Sequence, residues 1–115
     1  MGQNRNKLVD LFIGNLVNAV LHRILEKAII EDIEVSSKYK KEIINSWNIA
    51  KIYREKINPK RDFLPLREAT EIKERLIRRV SSEISARIAR GYKNLSLEDV
   101  EREAESALKE FYVAE

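Results

Sequence analysis

Several constellations in this chain of 115 residues come near to doing chemistry, and each fails on inspection. His22 and Glu26 stand i,i+4, so a helix would turn both to one side. Two ligands do not hold a metal, and the chain has no second histidine and no cysteine to complete the set. A helical nuclease pairing Arg with His four to six residues on is excluded, because the nearest Arg upstream of His22 is Arg5. Di-iron bundles need two Glu-x-x-His motifs, and none occurs. The stretches "EATE" (68–71) and "EDVE" (98–101) each offer a carboxylate pair that could hold Mg²⁺ if two helices brought them together. The short connection at 91–95 instead makes the flanking helices antiparallel. At about 1.5 Å per residue this leaves the pairs tens of ångströms apart. The acids at 98–101 suit the first turn of a helix, where the dipole favours negative charge. No Gly-rich phosphate loop and no Ser or Thr nucleophile with a base is present. We therefore expect no enzyme: no catalytic residue, no cofactor-binding residue and no metal.

The elements behind these residues are all helical. No β alternation, internal repeat or low-complexity stretch is found. Three Gly and two Pro fall where breaks are needed. Four helices are expected, at about 4–32, 37–57, 64–90 and 96–112, forming one bundle-like domain over 1–115 with the last two as an antiparallel hairpin. Pro59 forbids a helix through "NPKRDFLP" (58–65). Gly91 is placed to cap the third helix in the left-handed conformation. Ser96 is a good N-cap for the fourth, with Leu95 and Val100 at the positions of a hydrophobic staple.

At 100° per residue the later helices each carry one apolar stripe. These are Tyr39, Ile43, Trp47, Ala50, Tyr53 and Ile57; then Leu66, Ala69, Ile72, Leu76, Ile77, Val80, Ile84 and Ile88; then Leu97, Val100, Ala104, Ala107, Leu108 and Phe111. The first helix differs. Its polar strip is only Asn15, Asn18, His22 and Glu26, and apolar side chains take most of the remaining circumference. Each large side chain left in water forgoes roughly 1.5–3 kcal/mol. Either three partners surround this helix, or a second copy or partner protein covers part of it. The short partners favour the second arrangement, an assembly or adaptor subunit, with Leu8, Phe12, Leu16, Val20 and Ile24 as the interface. Asp10, Asn15, Asn18, His22 and Arg23 make the same stretch too polar for a bilayer span, so no membrane is expected. No signal peptide or myristoylation pattern is evident at the N-terminus, and the lack of cysteine fits a reducing cytoplasm. The bias toward Ile, Lys, Glu and Arg suggests a heat-adapted source.

Charge is unevenly spread. Residues 38–61 carry net +6 and residues 95–115 net −5. The alternative function is therefore nucleic-acid binding, with Lys40, Lys41, Lys51, Arg54, Lys60 and Arg61 neutralising phosphates. Against it, the acidic last helix could neutralise these cations within the fold or across a dimer. In the third helix Glu71–Arg75, Glu74–Arg78 and Glu83–Arg87 stand in the favourable i,i+4 order, which suggests an ion-paired face.

"GYKNLSLEDV" (91–100) resembles the end of the long helix, the second loop and the third-helix start of histone-fold proteins, at Gly91, Lys93, Leu95, Glu98, Asp99 and Val100. "AKIYREKINPKRD" (50–62) loosely resembles that fold's first helix and loop. The resemblance covers at most residues 42–108. It implies an intertwined dimer touching DNA backbone near Lys60, Arg61 and Lys93. The chain departs from that family in its long extra N-terminal helix, its Pro-containing loop and its longer last helix.

Overall fold

The computed structural model describes residues 4–29, 32–58 and 63–113. Four helices follow in order: α1 (Arg5–Ala28), α2 (Ile33–Ile57), α3 (Leu66–Ala89) and α4 (Glu98–Glu110). They run up, down, up and down. Arg5 of α1 meets Glu68 of α3, and Asn94 beyond the other end of α3 reaches the Ala28 carbonyl. Lys73 of α3 meets Glu105 of α4, which sets the antiparallel hairpin expected of the last two helices.

The surprise is α1. It is the central helix, and α2, α3 and α4 all pack on it, while α2 and α3 do not approach one another. Phe12, Leu16 and Val20 have no exposed surface, Ile24 retains 3% and Leu8 8%. The five residues expected to face a partner are thus the chain's own core, a correction with a clear cause. The narrow polar strip of α1 does not need water, because α2 covers it with matching polar groups. Asn18 donates to Glu42 Oε1 at 2.6 Å and to Ser46 Oγ at 2.5 Å. His22 packs edge-on against Tyr39, with ring centroids 5.5 Å apart. Glu26 accepts from Ser36 Oγ at 3.0 Å. With α2 spent on that side, the α3–α4 hairpin has only the apolar remainder to cover. Phe111 and Val113, just past α4, extend the cover, and Ile57 and Leu64 close the same end.

The helix ends follow local chemistry. Asp32 accepts from Val35 N at 3.1 Å, so α2 starts at 33 rather than at 37. α4 begins at Glu98 rather than at 96, with Leu97 in the N-cap position. Ser96, one residue further out, accepts from Glu98 N through its Oγ at 3.2 Å, while Leu95 packs on the core and Val100 is buried. After α3, Gly91 takes φ +97°, Tyr92 N donates to Arg87 O and Gly91 N to Ile88 O. This is a Schellman motif. A Cβ on Gly91 would meet nothing within 4 Å, so only the backbone resists substitution. Gly91→Ala is expected to lower stability by about 1–2 kcal/mol in a urea titration, the cost of an L-residue in that conformation.

The stretch resembling a histone fold is realised only as this turn and the start of α4. The separation of α2 from α3, and the supply of core from α1, differ from the intertwined arrangement implied. By length and composition α1 is apolar enough to cross a membrane; here most of it is buried inside the bundle.

Candidate functional site

The sequence singled out six cations of 38–61, and the structure separates them. Lys40, Lys41 and Lys51 are exposed on α2. Lys40 lies 3.7 Å from Glu26, a loose pair across to α1. Lys60 and Arg61 lie outside the described residues. Arg54 is no phosphate contact, since only 5% of it is exposed. Its Nε donates to Phe111 O at 2.6 Å and its Nη2 to Tyr112 O at 2.9 Å. A planar guanidinium here satisfies carbonyls that the end of α4 leaves without helical donors. Burial lowers the Arg54 pKa from its ordinary value; the nearby Glu68 carboxylate opposes that shift and Arg5 adds to it. Tyr112, at φ 56°, completes a second Schellman motif, with Val113 N donating to Leu108 O.

Beside this cap, Trp47 of α2 packs on Phe111 with centroids 4.6 Å apart, and Phe111 meets Phe12 edge-on at 5.4 Å. Arg23 lies 5.0 Å over the Trp47 ring and 3.7 Å from Glu103, which also pairs with Lys27. Glu103 is 4% exposed. Among the described residues, Glu103 of α4 pairs with α1, Glu105 with α3 and Asp99 with Arg102 of α4 itself, and no α4 acid pairs with a lysine of α2. Lys73 and Glu105 form an exposed pair 2.9 Å apart. Its hydrogen bond holds the lysine above its ordinary pKa and the carboxylate below it.

The residues considered for chemistry are occupied structurally. His22 Nδ1 donates to Asn18 O at 2.7 Å. Among the described residues no three His, Asp or Glu converge as metal ligands. Glu68 and Glu98 lie at opposite ends of the bundle, beside the start and the finish of α1 respectively. The clefts are shallow. One of about 220 Å³ lies beside Lys51, Arg54 and Tyr112, and one of about 350 Å³ beside Ile43, Ile44 and Trp47.

No family model, curated protein or solved structure matches this chain. The surface must therefore speak for itself, and two features stand out. On α2, Ile44, Ile49 and Ile52 are 61%, 40% and 53% exposed within about two and a half turns. They lie off the Tyr39–Ile57 stripe, a signal present in the sequence but overshadowed by the greasier α1. On α3, Arg75 leaves Glu71 for Asp10 of α1 at 2.7 Å, and of the three expected i,i+4 pairs only Glu83–Arg87 forms. Arg78 and Arg79 are exposed with no ion-pair partner among the described residues.

Proposed function

We propose that this chain is a non-enzymatic assembly subunit that joins a larger complex through the outward face of α2, in the cytoplasm. The observation that carries the reading is the exposure of Ile44, Ile49 and Ile52 on the one helix that packs along a single neighbour. Large aliphatics clustered in water forgo burial energy that a partner would recover. The assembly role thereby moves from α1 to α2. A second reading, nucleic-acid contact, is favoured by Arg78 and Arg79 on the outer face of α3, with Ser82 one turn on from Arg78.

One experiment separates the two. A photo-cross-linking side chain is placed at Ile52 or at Ser82, and the full chain is irradiated in extract of its source cells. The assembly reading expects protein adducts from position 52 and none from 82. Nuclease-sensitive adducts from 82 alone would replace it with the second reading, and no adduct from either position overturns both.

A further inference from the structure

Resting on the assembly reading, we infer that the occupant of the outward face of α2 is a second copy of this chain, laid antiparallel about a two-fold axis through Asn48. The face is Lys41, Ile44, Asn48, Ile52 and Glu55, all exposed. Their spacing of three, four, four and three residues keeps them within roughly 80° of arc at 100° per residue, the seam geometry of paired helices. The order is also a palindrome in chemistry. Reversing the helix about Asn48 sets Ile44 against the partner's Ile52 and Ile52 against the partner's Ile44. It sets Lys41 against the partner's Glu55, Glu55 against the partner's Lys41, and Asn48 against its own copy. A self-complementary patch is what an isologous contact demands. The parallel arrangement would oppose lysine to lysine and glutamate to glutamate, so charge selects the antiparallel one. An asparagine facing itself at the centre of an apolar seam fixes register, because any slip buries its amide against aliphatic carbon. Lys41 has no ion-pair partner of its own among the described residues. The seam spans about 21 Å at 1.5 Å per residue, small beside a standard interface of about 1,600 Å², so the dimer should be weak, with a Kd on the order of 10 µM.

The test is sedimentation equilibrium of the full chain from about 1 µM to 1 mM, a range bracketing that Kd. The mass should climb from 13.5 kDa toward twice that value. Lys41→Glu and Glu55→Lys should each weaken self-association at least about tenfold, as two like-charge contacts replace two ion pairs. An equimolar mixture of the two variants should regain the wild-type mass, because every charge contact in the mixed dimer is again of opposite sign. Asn48→Cys offers an independent readout. The natural chain has no cysteine, so mild oxidation should give a single disulfide-linked dimer, whether or not the charge variants fold. A wild-type mass of 13.5 kDa throughout, a mixture no heavier than either variant alone, or no disulfide-linked dimer overturns the inference. If the wild type stays monomeric while position 52 still cross-links to a different protein, the second copy is wrong and the assembly reading stands; if position 52 yields nothing, both fall.

Discussion

Phe12→Ala will lower the free energy of unfolding by about 3–5 kcal/mol, and by the same amount at every protein concentration. The side chain is wholly buried and meets Phe111 edge-on, so truncation removes the transfer energy of a ring and leaves a cavity that two rigid helices cannot collapse into. A domain of this size has only about 5–15 kcal/mol to lose. Urea titrations at two concentrations tenfold apart make the measurement. An interface residue would behave otherwise: its loss would lower association and leave monomer stability alone. Ile44→Ala is the control, expected within about 0.5 kcal/mol of wild type because its side chain is already in water. A loss below about 1 kcal/mol at Phe12 would contradict the central placement of α1.

Arg54→Met should be the next most damaging, at about 2–4 kcal/mol. Met keeps much of the buried stem but donates nothing, so the carbonyls of Phe111 and Tyr112 lose the guanidinium that closes the end of α4. Arg54→Lys should recover little. One ammonium cannot meet both carbonyls in the geometry of the planar fork, and it is more strongly hydrated. The readout is the thermal midpoint together with the emission of Trp47, the sole tryptophan, whose ring packs on Phe111. Unchanged emission and stability would mean that Arg54 is an ordinary surface cation.

The residues that read correctly from sequence are those whose chemistry is local. The middles of the α3 and α4 stripes, from Ala69 to Ile84 and from Val100 to Phe111, needed only helical periodicity, whereas Leu66, Ile88 and Leu97 at the stripe ends are exposed. Gly91 and Ser96 mark helix ends through interactions within a few residues. The sequence misplaces the boundary between α1 and α2: it puts position 32 in the first helix and begins the second at 37, whereas the Asp32 carboxylate caps α2 through Val35 N. The placement of α1 was not legible for a different reason. Asn18, His22 and Glu26 read as a solvated strip, because nothing in the spacing of Ser36, Tyr39, Glu42 and Ser46 announces that they will receive it. Arg54 was hidden in the same way. A cation within a basic segment looks like its neighbours until the fold delivers the end of α4 to it. The isoleucines of α2 were visible, but only to a count of apolar residues lying off the stripe.

One consequence concerns the order in which the chain is made. The helix in greatest need of cover leaves the ribosome first, while Phe111, which seals Phe12, follows about a hundred residues later. Until then α1 can be sheltered along its polar edge by α2 but not along its oily one. The nascent polypeptide should therefore be a ready client for chaperones, and losing the few residues around Phe111 and Val113 should return it to that condition.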